Sequence, residues 1–154
     1  MLVEEPIIFP YLRESSVLFL DAISRDEALN EMVKELKDSQ IIEQGEPFLS
    51  ALFARETLVS TGIGLGCAIP HAKLPNIQDF FISIGIIKSG GVDWKSIDRA
   101  PVKLIFLIGG PTHEPNRYLK MLSALTEAIR SEDFRREMMS CHQPKEVLKL
   151  FERI

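Results

Sequence analysis

Stretches of helical periodicity alternating with apolar runs of strong β character predict an α/β (α+β) fold, in which a central sheet is covered by helices. The strand-like runs at 80–87 and 102–108 are rich in Ile, Phe and Val. The helical stretches at 28–36 and 118–129 repeat apolar residues three and four positions apart. No internal repeat or low-complexity linker interrupts the 154 residues, so 1–154 reads as one domain, large enough to bury a core without disulfides or metal.

The elements follow in order. Residues 4–12 hold two prolines and no clean period, which suggests an irregular or short helical lead-in. Val17, Leu18, Phe19 and Leu20 form a short apolar run that fits a buried strand. Ser24 and Glu27 then have the spacing of a capping box, in which a serine oxygen and a carboxylate satisfy orphan amides at a helix start. Ala28, Leu29, Met32, Val33 and Leu36 give that helix one apolar face. Residues 41–45 read as a connection ending at glycine, and Pro47 is an early residue of a second helix carrying Phe48, Leu49, Leu52 and Phe53 to about Arg55. Cys67, Ala68 and Ile69 predict a short strand stopped by Pro70, which has no amide for a central ladder. The 80–87 strand ends at Ser89-Gly90-Gly91, an ordered loop or small hairpin with Val92, Asp93, Trp94 and Asp98 follows, and the 102–108 strand is closed by Gly109 and Gly110. From Asn116 the period is helical again, with Tyr118, Leu122, Leu125 and Ile129 on one face and Leu119 and Ala128 beside it. Ser131 caps a short helix carrying Phe134 and Met138, and Pro144 opens a last one with Val147, Leu148 and Phe151 inward.

Composition narrows the function. A formal net charge of −4 argues against a nucleic-acid binder, and 45% apolar with 26% charged residues suits a soluble globular chain. No apolar run is long enough to insert in a membrane, and the first 13 residues lack the form of a signal peptide, so a cytoplasmic location is expected. Cys67 and Cys141 stand far apart outside any Cys-x-x-Cys spacing and read as buried thiols rather than metal ligands.

The chemistry concentrates at 55–73, which gathers Arg55, Glu56, Ser60, Thr61, Gly62, Gly64, Gly66 and His71 behind Pro70. The glycines do not match a dinucleotide fingerprint, whose third glycine would come one residue later, and nothing follows that could make a Walker A loop. They allow close approach or left-handed backbone, and the amides around Gly62 and Gly64 could form a nest for an anion. His71 is a candidate nucleophile, since a histidine acts as one when one ring nitrogen is free and the other is fixed. Arg55 could hold phosphate oxygens, with Ser60 and Thr61 as hydroxyl donors. Taken singly, Arg55 could equally be a surface ion pair with Glu56 or another acid, and the hydroxyls could be turn formers.

Taken together, Arg55-Glu56, then Ser60-Thr61-Gly62-Ile63-Gly64, then Ala68-Ile69-Pro70-His71 resembles the active-site signature of the fructose/mannitol-type IIA domains of the bacterial phosphoenolpyruvate:sugar phosphotransferase system (PTS EIIA, type 2). The resemblance extends from Ser24 through Val92-Asp93-Trp94 and Asp98-Arg99-Ala100-Pro101-Val102 to the strand beyond. With no IIB, IIC or HPr-like segment attached, the chain looks closest to the stand-alone nitrogen-regulatory branch. The resemblance implies a mixed sheet of about five strands flanked by helices, and no cofactor or metal. It implies a phosphohistidine carrier of the transferase class, in which His71 accepts a phosphoryl group from an HPr-like phosphocarrier protein and passes it to an EIIB domain or a regulatory target. Arg55 would stabilise the phosphoryl group, with Thr61 and Ser60 secondary, and Glu56 would orient Arg55 or the loop. Many members carry a second histidine at the start of the helix after the last strand, where this chain has Tyr118, so Tyr118 or His113 would complete the site. A switch that only regulates protein binding, and a member that keeps the fold without carrying phosphate, are the alternatives.

Overall fold

The computed structural model describes residues 5–154, so Glu4 of the expected lead-in lies outside the described residues. The lead-in has two short 3-10 turns, Phe9–Tyr11 and Glu14–Ser16. Among the described residues there follow β1 (Val17–Leu20), α1 (Arg25–Asp38), α2 (Gly45–Leu58), β2 (Gly62–Gly64), β3 (Cys67–Ala68), β4 (His71–Lys73), β5 (Phe81–Ile87), β6 (Leu104–Gly110), α3 (Pro115–Arg130), α4 (Glu132–Ser140) and α5 (Pro144–Phe151).

The sheet is mixed and six-stranded, in the order β1-β5-β6-β3-β2, with β4 also paired to β6. β5 and β6 run antiparallel over their central residues, while β1 pairs β5 and both β3 and β4 pair β6 in parallel. One face packs Leu20, Ala68, Phe81, Ile105 and Leu107 under α1 and α2; the other packs Ile82, Ile84, Phe106 and Ile108 under the three C-terminal helices. β5 and β6 are buried along their whole length, as expected of apolar runs covered on both faces.

Serine caps formed at both foreseen helix starts, although the return bond from the Ser24 amide to the Glu27 carboxylate expected of a capping box is not made. The Ser24 hydroxyl accepts from the Glu27 amide at 3.1 Å, and all five apolar residues foreseen on α1 are buried. The Ser131 hydroxyl accepts from the Phe134 amide at 3.2 Å at the start of α4. Val92 and Val102 form the expected small bridge.

Five expectations need correction. β1 is an edge strand rather than a buried one, with Phe19 36% exposed beneath the Lys88 ammonium. α2 continues past Arg55 to Leu58, so Arg55 and Glu56 sit inside its last turn. On α3 the buried stripe is Tyr118, Met121, Leu125 and Ile129, leaving Leu122 half-buried and Leu119 58% exposed. Pro70 interrupts a strand rather than ending it: β3 and β4 lie along the same edge of β6, and pairing resumes at His71 opposite Ile108. Pro70 lacks an amide, but its carbonyl still accepts from the Ile108 amide at 2.9 Å, so the chain stays on course across the gap.

The fifth correction is that Gly109 and Gly110 belong to β6 instead of closing it. Both face an aromatic ring: a Cβ on Gly109 would fall 2.2 Å from the Phe81 ring, and one on Gly110 would fall 2.2 Å from the Phe80 ring. The glycines are there because the rings occupy the space a side chain would need, and turn signals in sequence cannot be told from such seats. Gly109→Ala should therefore overpack the sheet and cost roughly 1–3 kcal/mol in urea unfolding, whereas a turn glycine with room for a methyl would show little loss.

Candidate functional site

His71 opens β4 immediately after Pro70, half-buried at the sheet's edge, where the end of α2 and the side of α3 meet. Three neighbours define its chemistry. Its Nδ1 lies 3.0 Å from the Ile69 carbonyl, its Nε2 lies 3.2 Å from the Arg55 Nε, and the Tyr118 ring is tilted against it with centroids 5.6 Å apart. A guanidinium only donates, so Nε2 must be the nitrogen with the lone pair and Nδ1 the one carrying hydrogen. Burial pushes the imidazole below its ordinary 6.5, opposed by the Ile69 carbonyl and the charge of Glu56, and assisted by Arg55 and Lys73. At neutral pH His71 is thus an uncharged imidazole with Nε2 available.

Arg55 is fixed at a second point, its Nη1 donating to the Val59 carbonyl at 2.8 Å. Among the described residues no carboxylate lies within ion-pair distance of it, so it is not paired with Glu56 as one reading of the sequence allowed. Glu56, one residue on, turns inward and is only 5% exposed. Its carboxylate accepts from the Thr61 amide at 2.8 Å, the Thr61 hydroxyl at 2.5 Å and the Trp94 indole at 3.1 Å. It therefore orders the loop rather than touching Arg55. A buried carboxylate is costly unless its oxygens are satisfied, and these three donors satisfy them.

The hydroxyls are committed to the same framework. Thr61 gives its proton to Glu56, while Ser60 donates to the Trp94 carbonyl and accepts from the Gly62 amide at 3.0 Å. Ser60 and Thr61 still line the hollow beside His71, but as residues that shape it. The glycine stretch is a tight β2–β3 hairpin. Gly64 has φ +90°, which favours glycine, and a Cβ on Gly62 would strike the Ser96 hydroxyl. Asp98 closes the hairpin by accepting from the Leu65 amide at 3.0 Å. The Ala100 and Leu65 amides hold its carboxyl below the usual range.

The hollow has a volume of about 450 Å³, with apolar walls from Ile63, Leu65, Ile69, Leu122 and Ile129 and a cationic rim of Arg55 and Arg130. Tyr118 reaches the site. Burial raises its phenol and the Arg55 charge opposes that, while the Lys73 ammonium sits 4.4 Å over its ring. His113 is exposed in the turn before α3, in a separate depression with Glu114, Arg117 and Lys120 that shares no residue with the His71 hollow. Sequence reasoning missed Trp94 and Ile69 as neighbours of the site; Trp94 was visible as a lone tryptophan in a polar loop, whereas the Ile69 carbonyl left no signal. Among the described residues no cluster of His, Cys, Asp and Glu could hold a metal ion. Cys67 and Cys141 are both buried thiols, and burial pushes Cys67 up to about 12.

Residues 11–154 match the family model for the phosphoenolpyruvate-dependent sugar phosphotransferase system, EIIA 2. The chain belongs to that family. It is 29% identical over 134 residues to a nitrogen regulatory protein homolog from Haemophilus influenzae, covering 85% of this chain and 82% of that one. It is 29% identical over 133 residues to a fructose-specific EIIABC component from Bacillus subtilis, covering 86% of this chain but only 21% of that longer protein. The crystal structure of nitrogen regulatory protein IIA-Ntr from Neisseria meningitidis superposes with a TM-score of 0.86 at 25% identity, covering 93% of this chain and 97% of that one. The mannitol IIA of Escherichia coli, solved in complex with phosphorylated IIB, shares the fold with a TM-score of 0.77 at 19% identity, over 91% of this chain and 96% of that one. The six strands seen here correspond to the expected mixed sheet of about five, with the strand through Pro70 counted as two.

Two outcomes follow from the geometry. In a histidine NMR titration, His71 should appear as the Nδ1–H tautomer at pH 7 and titrate below 6.5. Because the folded value is depressed, its contribution to stability is present above the unfolded value and is lost as pH falls through the folded one. An Nε2–H tautomer would contradict the Arg55 contact. Glu56→Ala should cost at least about 2 kcal/mol in denaturant unfolding, because it strands buried donors from Thr61 and Trp94.

Proposed function

We propose that His71 is the phosphoryl acceptor, attacking through Nε2. The observation that carries this reading is the pair of contacts on its ring: Nδ1 fixed by the Ile69 carbonyl, and Nε2 facing a guanidinium. The donor is a phosphohistidine on an HPr-like phosphocarrier protein. The Nε2 lone pair forms the new N–P bond as the donor's N–P bond breaks, and the donor imidazole keeps the released electron pair. In that sense the chain acts as a covalent phosphoryl carrier of the transferase class. Transfer of this kind asks mainly for alignment and for stabilisation of charge on the equatorial oxygens.

Arg55 gives that stabilisation. As phosphorus approaches, its Nε–H passes from the ring nitrogen to a phosphoryl oxygen, while Val59 keeps the guanidinium in place. Thr61, Ser60, Gly62 and Gly64 act indirectly by setting the hairpin against the end of α2. Tyr118 packs on the His71 ring and takes the place expected of a second histidine, which the exposed His113 does not. The reading takes 1–154 as one EIIA unit, and a cytoplasmic location belongs with it.

Downstream, the acceptor is an EIIB domain or a regulatory target. The E. coli mannitol IIA bound to its phosphorylated IIB supports the first. The second, in which phosphorylation of His71 changes which protein is gripped, is supported by likeness over most of their length to nitrogen regulatory relatives.

Incubation with phosphoenolpyruvate, enzyme I and an HPr-type carrier should add one acid-labile phosphate by intact mass, and His71→Ala should abolish it. A wild type that stays unlabelled while a known acceptor is labelled would overturn the reading. Arg55→Ala should slow labelling at least about tenfold and leave the melting temperature nearly unchanged, since Arg55 is half-buried and makes no ion pair.

A further inference from the structure

The loop at 92–102 has no part in the proposed transfer step, yet it grips the His71 site at several points. Trp94 contributes most. Its indole is completely buried, and its single N–H is shared between the Glu56 carboxylate at 3.1 Å and the Thr61 hydroxyl at 3.0 Å. Its backbone carbonyl accepts the Ser60 hydroxyl. Two of the three side chains it holds line the hollow beside His71, and the third is the neighbour of Arg55 in the last turn of α2.

We propose that Trp94 is a positioning residue for phosphoryl transfer: its indole N–H, acting through Glu56 and Thr61, locks the last turn of α2 against the β2–β3 hairpin and so sets Arg55 on His71. Filling the core does not require this arrangement. Trp94 belongs to the same core cluster as Phe48, Leu52 and Val102, and an apolar ring alone would fill its place there. The donor is needed because a carboxylate is buried at Glu56, and that carboxylate joins the last turn of α2 to Thr61 at the start of the hairpin. Side chains at 55 and 56 diverge from one helical turn, so a turn held at Glu56 holds the guanidinium one residue back. Rotating that turn by a few degrees moves Arg55 relative to Nε2, and small misplacements are expensive in transfer chemistry. Ser96, only 6% exposed, fills the space against Gly62, and its hydroxyl makes no hydrogen bond among the described residues.

The inference rests on His71 as acceptor, and single-turnover transfer from a phosphorylated HPr-type carrier separates the two. Trp94→Phe keeps a ring and removes the N–H. The rate constant at saturating carrier should fall at least about tenfold while the half-saturating concentration changes less than about twofold. Glu56→Gln should behave in the same way, and the double variant should be no slower than the slower single one, because both act through one contact. Replacing the chain's one tryptophan by benzothienylalanine, which exchanges the N–H for sulfur with almost no change of shape, keeps the test decisive if the phenylalanine variant folds poorly. A rate unchanged per folded molecule, a change confined to half-saturation, or losses that multiply in the double variant would overturn the role of Trp94 while leaving His71 as acceptor. A wild type that takes no phosphoryl group would remove both readings together.

Discussion

β6 is the constraint on which the rest depends. One edge is committed to β5 through an antiparallel register from Phe81 to Ile86, so the other edge alone must hold both β3 and β4. That shared edge is possible because Pro70 falls between them, where a missing amide does no harm to the ladder. It also determines where His71 stands. The ring emerges at the first residue after the gap, opposite Ile108, with a carbonyl two residues back in reach of Nδ1. A one-residue slip of β4 along β6 would turn the histidine to the other face of the sheet, because strand side chains alternate.

Around that fixed ring, charge is distributed unevenly. The cations Arg55, Lys73 and Arg130 lie at or near the hollow, while the nearest carboxylate, Glu56, is turned into the interior and saturated by donors. An anionic group arriving at Nε2 therefore meets Arg55, which has no ion-pair partner among the described residues, whereas Arg130 is already paired with Glu127 at 3.5 Å. The apolar walls lower the polarity around those groups, so charge there is screened less than in bulk water.

Much of the fold was legible because its signals were local. Ser24 and Ser131 announce helix starts through bonds made within three residues, and the β5 and β6 runs could only be buried strands. The failures were long-range. Whether Gly109 ends a strand or seats Phe81 is decided by a partner 28 positions away in the chain. Whether β1 is central or at an edge depends on topology that four residues cannot encode. At the site, the residue types were readable but their assignments were not. Arg55 and Glu56 looked like a pair and point apart, because neighbours on a helix diverge by about 100°. Ser60 and Thr61 looked like donors to a ligand, and their protons are spent on Trp94 and Glu56. Tyr118 and His113 could be separated only once the position of α3 was known.

The contact between Arg55 and His71 has a consequence for what the site refuses. A neutral, half-exposed imidazole with a free Nε2 is an excellent ligand for zinc or copper, and a carrier relying on one would be vulnerable to any trace metal. Here the lone pair faces a permanent positive charge that repels a metal cation and is itself held by the Val59 carbonyl. An electrophile bearing negative oxygens is drawn in by that same charge. On the proposed role of His71, the guanidinium acts as a filter by sign, keeping the imidazole chemically quiet toward cations and open to phosphoryl groups.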